Sequence, residues 1–183
     1  MELLLHACCA PCAVACVDCL REEGRNPALF WYNPNIHPFG EYRNRRESLV
    51  EFAANLGERL ILKDYYGLGD FVAANTSPQE RCGYCYRTRM EQSARYAAGG
   101  GFSAFTTTLL ISPYQNHRLI IDAGEEAGKK FGVSFLYRDF RPLFKEGQGR
   151  ARALGLYAQK YCGCIFSEEE RYRKQIDLLQ AKS

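Results

Sequence analysis

Nine cysteines among 183 residues constrain this chain more than any other feature. Seven of them fall in three motifs: Cys8-Cys9-Ala10-Pro11-Cys12, Cys82-Gly83-Tyr84-Cys85 and Cys162-Gly163-Cys164. A secreted disulfide scaffold would also be rich in cysteine. However, the apolar run at residues 1–5 has no basic segment before it and is interrupted at His6, so it is too short for a secretion signal. We therefore predict a cytoplasmic protein whose reduced cysteines bind metal or carry out redox chemistry.

The spacing within the motifs is typical of metal ligation. Two thiols three residues apart at the start of a helix can face one metal, and the amino end of a helix favours the thiolate. We expect the side chains of the adjacent Cys8 and Cys9 to diverge, so that each can serve a different centre. Cys16 and Cys19 continue the first helix at core spacing and are predicted to be buried as small hydrophobic residues.

The number of thiols bears on the choice of metal. Seven candidate thiolates exceed one tetrahedral site, which favours an iron–sulfur cluster with a second metal beside it. Four cysteines suit structural zinc equally well, so zinc stays open. A zinc-stabilised RNA-binding module is accordingly the non-catalytic alternative.

Short apolar segments alternate with amphipathic ones, which predicts an α/β protein with a central parallel sheet flanked by helices. The predicted strands are residues 2–6, 28–32, 59–62, 103–107 and 134–137. The predicted helices are residues 12–23, 41–56, 66–74, 82–98, 114–131, 147–154 and 167–179, with a loop over 75–80. Ligands of such sheets bind beyond the carboxyl ends of the strands, where the first cysteine motif falls. We predict a single α/β domain over residues 1–183 with a helical C-terminal part.

Further short motifs accompany the cysteines. They are His6-x-Cys8-Cys9-x-x-Cys12, Tyr32-Asn33-Pro34-Asn35-Ile36-His37-Pro38, Arg81-Cys82-x-x-Cys85, Phe105-Thr106-Thr107-Thr108-Leu109, Ser112-Pro113-Tyr114-Gln115, Asp139-Phe140-Arg141 and Tyr161-Cys162-Gly163-Cys164. Together they resemble the QueH-type epoxyqueuosine reductases from His6 to about Ser167. The resemblance implies a Rossmann-like fold related to the nucleotide α-hydrolases. It also implies an oxidoreductase that converts epoxyqueuosine to queuosine at the tRNA wobble position by two-electron deoxygenation of the epoxide.

The same resemblance implies a [4Fe–4S] cluster and a mononuclear iron, without cobalamin. Carried over by motif, the cluster ligands are drawn from Cys8, Cys9, Cys82, Cys85, Cys162 and Cys164, and Cys12 joins them as a metal ligand. Some family members have Asp at the position of Cys12, which fits a ligand there. The division of the seven between cluster and single iron stays open. The implied partners are a tRNA bearing epoxyqueuosine and an external electron donor.

Four residues that the resemblance points to are candidate proton donors for the departing oxygen: Asp64, His37, Tyr114 and Asp139. His37 can instead cap the preceding turn, and Asp139 can form an ion pair with Arg141. Where the family often has Asp-Tyr-Asp, this chain has Asp64-Tyr65-Tyr66, so only the first carboxylate is available. His6 is either a donor to a nearby sulfur or a satisfied core histidine.

A net charge of +3 leaves room for a local basic face rather than a global field. Arginines and a lysine near the second and third cysteine motifs predict a basic rim for the anticodon loop. They are Arg81, Arg87, Arg89, Arg138, Arg141, Lys145, Arg150 and Arg152. No apolar run approaches the ~18 residues needed to span a bilayer, so no membrane partner is expected.

An ATP-using tRNA thiolation-type enzyme of the same broad fold is the catalytic alternative. Such an enzyme has a glycine-rich pyrophosphate loop after its first strand, but here the first cysteine motif occupies that position. Gly99-Gly100-Gly101 follows a predicted helix and so reads as a stop signal. The sequence therefore favours the reductase.

Overall fold

The computed structural model describes residues 2–74 and 80–182, so the predicted loop over 75–80 lies, apart from Glu80, outside the described residues. Its five strands are β1 (Glu2–His6), β2 (Asn26–Trp31), β3 (Leu60–Leu62), β4 (Ala104–Thr107) and β5 (Ser134–Phe135). Its helices are α1 (Ala10–Glu22), α2 (Phe39–Leu56), α3 (Leu68–Ala74), α4 (Arg81–Gly99), α5 (His117–Phe131), α6 (Phe144–Ala153) and α7 (Ile165–Gln180). The strands form one parallel sheet in the order β3-β2-β1-β4-β5. This confirms the predicted central parallel sheet flanked by helices, with a helical C-terminal part.

β1 lies at the centre of the sheet because it is apolar on both faces. Its residues Leu3, Leu4 and Leu5 are all at most 1% exposed, as expected for a parallel strand covered by helices on both sides. Around the sheet, α4 packs against α5 and α1 packs against α6.

The strand order places a topological switch point at the carboxyl ends of β1 and β4. The chain leaves β1 toward β2 on one side, while β4 pairs on the other, with His6 opposite Thr107. The residues just beyond these two strands therefore meet: the backbone N–H of Cys8 donates to Oγ1 of Thr108 at 3.2 Å. This crevice is where open α/β sheets bind their ligands.

Most element boundaries lie within three residues of the prediction, and a side-chain cap explains the shift of one helix. α5 begins at His117 rather than at 114 because Asn116 caps it, its Oδ1 accepting from the backbone N–H of Leu119 at 3.2 Å. The residues before Asn116 are thereby left outside the helix, beside the crevice. Over the described part of the chain, the helices are all too short or too polar to cross a bilayer.

Candidate metal centre

The first group of thiols is formed by Cys8, Cys9 and Cys12, just beyond the end of β1. All three are buried, and their Sγ atoms lie within 4.8 Å of one another. Cys9 is the N-cap of α1: it has an extended backbone, and its Sγ accepts from the backbone N–H of Cys12 at 3.4 Å. This cap turns the chain so that the thiols of Cys8 and Cys9 converge, with their Sγ atoms 3.8 Å apart. The expectation that these two side chains diverge is therefore wrong.

These distances suit a single metal ion. Metal–sulfur bonds of about 2.3 Å in a tetrahedron place two sulfurs about 3.8 Å apart. Three protein ligands leave the fourth position for water or substrate, as catalytic metal sites do. Hydrogen bonds from the thiols of Cys12 and Cys9 lower the pKa of Cys8, which favours a thiolate in this group.

The second group consists of Cys82 and Cys85 in the first turn of α4 with Cys162 and Cys164 before α7. Burial is the main cause that raises the pKa of Cys85 to about 12. The positive charge of Arg89 opposes this rise, and the charges of the other three thiols add to it, so the four thiols are electrostatic neighbours. Among the described residues, no three of these four sulfurs lie within 4.8 Å of one another. Wider spacing suits a four-iron cluster, because each thiolate there binds a different iron.

A buried ion pair holds the third cysteine motif in place. Arg45 is 1% exposed, pairs with Glu41 at 2.6 Å, and donates to the carbonyl oxygens of Tyr161 and Cys162 at 2.9 Å each. Gly163 has φ +141°, and a Cβ there would lie 3.2 Å from Nη1 of Arg45. This backbone conformation and close approach require glycine.

Among the described residues, four side chains outside the cysteine motifs donate hydrogen bonds to the thiols of the two groups, and sequence reasoning assigned none of them this role. They are Thr108 to Cys8 (3.5 Å), Gln159 to Cys9 (3.1 Å), Arg89 to Cys85 (2.8 Å) and Gln115 to Cys162 (3.2 Å). Such donors stabilise the negative charge of ligating thiolates and orient them. Arg89 follows Cys85 by four residues on one helix, so its position could have been predicted from spacing. The other three pairs are 47 to 150 residues apart in sequence.

The remaining cysteines and His6 belong to the core. Cys16 is fully buried as predicted, whereas Cys19 is only partly buried, at the edge of the core. The ring of His6 is bonded to Oγ1 of Thr107 at 2.9 Å and to the carbonyl oxygen of Tyr32 at 3.2 Å. Burial lowers the pKa of His6 to about 4, which keeps the ring neutral. It is therefore a satisfied core histidine.

A cavity of about 310 Å³ opens at the switch point. Its lining includes Cys8 and Cys12 from the first thiol group and Cys162 from the second, so both groups border one space. Tyr114, 85% exposed, lies at the opening, with its ring edge-on to that of Phe144 at 5.9 Å between centroids. A molecule in the cavity would contact thiols of both groups at once.

Of the four proton-donor candidates, only Tyr114 lines this cavity. Asp64 accepts two hydrogen bonds from Arg46, which lower its pKa. Asp139 is paired with Arg141, which lowers its pKa to about 2. Both carboxyls therefore sit away from the thiols as ionised partners of arginines.

The ring of His37 also lies outside the cavity. It is buried against Tyr66 and Phe71, each 5.2 Å away between centroids, and burial lowers its pKa. Its backbone contacts the third cysteine motif instead: the N–H donates to the carbonyl of Gly163 and the carbonyl accepts from the hydroxyl of Tyr161, both at 2.8 Å. The structure thus places His37 as a support for that motif.

The expected basic rim is largely neutralised by carboxylates. Four of its arginines are paired: Arg81 with Glu170, Arg138 with Glu23, Arg141 with Asp139 and Arg150 with Asp18. Arg89 is 2% exposed and so cannot form part of a rim. Most of the positive charge that was predicted to form the anticodon-binding rim is therefore paired or buried.

A parallel sheet in this strand order, with a thiol-lined cavity at its switch point, defines a Rossmann-like α/β protein with a candidate metal site. Solved structures of this fold are similar to the chain. The U34-tRNA thiolase NcsA from Methanococcus maripaludis, solved with its [4Fe–4S] cluster, has a TM-score of 0.57 at 13% identity over 99% of this chain and 67% of its own. A predicted tRNA methyltransferase subunit from Methanocaldococcus jannaschii has a TM-score of 0.54 at 15% identity, over 83% and 74%. At these identities the likeness shows the fold alone.

Sequence comparison gives the family. The profile of the epoxyqueuosine reductase QueH family matches residues 3–170. A relative from Dehalococcoides mccartyi, named epoxyqueuosine reductase QueH, is 39% identical over 176 residues, which cover 94% of this chain and 96% of the relative. One of the same name from Thermotoga maritima is 33% identical over 193 residues, covering 96% and 95%. The chain belongs to the epoxyqueuosine reductase QueH family, which confirms the resemblance and the prediction of an oxidoreductase.

Proposed function

We propose that this chain reduces the epoxide of epoxyqueuosine in tRNA to the alkene of queuosine. The reaction takes up two electrons and two protons, breaks both carbon–oxygen bonds and releases water. The observation that carries the proposal is the single cavity bordered by both thiol groups, large enough for part of a modified base. The electrons come from an external donor.

The two thiol groups hold different centres. The compact triad of Cys8, Cys9 and Cys12 fits the single iron, and the wider set of Cys82, Cys85, Cys162 and Cys164 fits the [4Fe–4S] cluster. When bound, the cluster supplies electrons singly and the iron supplies a Lewis acid beside it. In this division Cys8 and Cys9, which the sequence analysis placed among the candidate cluster ligands, are ligands of the single iron instead.

The chain's own residues bind the substrate and supply a proton. Tyr114 and Phe144 present aromatic surface at the opening, on which an unstacked base can lie. Tyr114 is also our proton donor, because its hydroxyl belongs to the one candidate on the cavity wall. Asp64, Asp139 and His37 support the surrounding structure.

The test is direct reduction of modified tRNA. Protein prepared without oxygen, given epoxyqueuosine tRNA and a chemical reductant, should yield tRNA nucleosides that have lost one oxygen atom by mass spectrometry. Cys12→Ala should abolish this conversion, whereas Cys16→Ala, a buried cysteine on the same helix, should retain it. An iron-loaded protein that leaves the epoxide intact would refute the proposal.

The same preparation separates the alternatives. A zinc-stabilised RNA-binding module would be colourless and would bind tRNA without changing its mass. An ATP-using thiolation-type enzyme would need ATP and would add sulfur rather than remove oxygen. A brown protein that removes oxygen without ATP excludes both.

A further inference from the structure

A second groove adjoins the cavity, along the third cysteine motif and α7. Three exposed cations lie in it: Lys160, Arg171 and Lys174. Within residues 2–74 and 80–182, none of the three forms an ion pair. The acidic side chain of the groove, Glu170, is neutralised by Arg81 at 2.6 Å. The groove is therefore net positive, unlike the predicted basic rim, most of whose arginines are paired or buried.

The groove and the cavity are continuous. Lys160, Tyr161 and Cys162 line both, so the groove begins where the cavity ends. A nucleotide whose base enters the cavity carries a phosphate on each side of its sugar, and these phosphates must lie at the opening. Phosphates placed against exposed cations gain favourable electrostatic energy and release counterions.

We propose that this groove binds the phosphate backbone of the tRNA strand next to the wobble nucleotide. The inference rests on the proposed function, since it requires a tRNA base in the cavity. Arg171 and Lys174 lie three residues apart on α7, so they occupy neighbouring positions on one helical face. Gln175 of the same groove is a further donor for phosphate oxygens. These contacts read the backbone and not the base, so they contribute affinity and register without sequence preference.

The test is the salt dependence of tRNA binding to the triple variant K160Q/R171Q/K174Q. Three lost phosphate contacts should reduce the slope of log affinity against log salt by about 2, and weaken binding about 100-fold at 0.1 M salt. The control R59Q/K129Q/K130Q removes three exposed cations just before β3 and β5, at the amino ends of the strands and so away from the cavity at their carboxyl ends. This control has the same change in net charge, and it should reduce the slope much less than the triple variant of the groove does.

Kinetics separate docking from chemistry. The triple variant should raise KM for tRNA strongly and leave kcat at saturating tRNA near the wild-type value, with unchanged iron content. If Lys160→Gln disturbs iron content, the double variant R171Q/K174Q, confined to the surface of α7, should still lower the slope by about 1.4. A wild-type slope in either variant, or an equal loss in the control, overturns the inference. Wild-type protein that does not reduce modified tRNA would instead refute the proposed function.

Discussion

Replacing Arg89 tests whether a buried positive charge sets the electron affinity of the four-cysteine group. Its guanidinium is 2% exposed and donates from Nη2 to Sγ of Cys85 at 2.8 Å and from Nε to the Cys85 carbonyl at 3.1 Å. Within the described chain, no carboxylate pairs with it. Burial acts to lower the pKa of Arg89, but the nearby Cys85 and then Cys8 raise it, so ligating thiolates of these cysteines would supply its counter-charge.

The expected magnitude follows from that contact. A hydrogen bond to a charged group is worth about 1.5–3 kcal/mol. A reduced cluster carries one more negative charge than an oxidised one, so the arginine stabilises the reduced state more. Arg89→Met should therefore lower the reduction potential. The shift is at most about 65–130 mV, the value reached if the hydrogen bond stabilised the reduced state alone, since about 1.4 kcal/mol corresponds to 59 mV for one electron. Arg89→Lys keeps the charge and should shift the potential less.

The assay is a redox titration of the anaerobic protein followed by electron paramagnetic resonance of the reduced cluster. Arg95→Met is the matched control, because Arg95 lies on the same helix but is exposed. Unchanged or raised potential in Arg89→Met, or an equal shift in the control, would refute the reasoning.

Three further predictions concern Arg45, Tyr114 and Asp139. Arg45→Met should lower the free energy of unfolding of the metal-free chain in denaturant by about 3–5 kcal/mol, because it leaves Glu41 buried without its ion-pair partner. Adding Glu41→Gln should recover much of this loss, and purely additive effects of the two substitutions would contradict the prediction. Tyr114→Phe should lower kcat with little effect on tRNA affinity, whereas a kcat equal to wild type would remove Tyr114 as proton donor. Asp139→Asn should leave kcat nearly unchanged. The folded pKa of Asp139 is lowered to about 2, so its pairing stabilises the fold above the unfolded pKa of about 3.9 and is lost as pH falls toward 2. Wild type should accordingly lose more stability than this variant between pH 5 and pH 2.5, and parallel acid unfolding curves would contradict the pairing.

Local patterns predicted the fold because each element carries its own signal. The apolar run of β1 and the αL glycine at Gly57, which ends α2, are visible in the sequence and determined where those elements lie. The start of α5 was misplaced because an Asn116 cap competes with the continuous helical pattern before it.

The candidate site was predicted less completely because its geometry depends on distant pairs. The convergence of Cys8 and Cys9 follows from the N-cap conformation of one residue and not from spacing. The hydrogen bond from Gln159 to Cys9 joins residues 150 positions apart in sequence, and Arg138 pairs with Glu23, which is 115 positions away. Local periodicity carries no information on such distant contacts, so neither the other three sulfur donors nor the long-range ion pairs of the rim could be predicted. Only Arg89, four residues after Cys85, and the Asp139–Arg141 pair could be inferred from the sequence.

The central claim is that the seven thiols divide into a group of three and a group of four. Counting iron and acid-labile sulfide in matched variants tests it most directly. The protein reconstituted without oxygen should hold about five irons and four sulfides per chain. Cys12→Ala should lose about one iron and keep all sulfide, Cys85→Ala should lose the sulfide, and Cys16→Ala should lose neither. Loss of sulfide in Cys12→Ala, or zinc in place of iron throughout, would contradict the division.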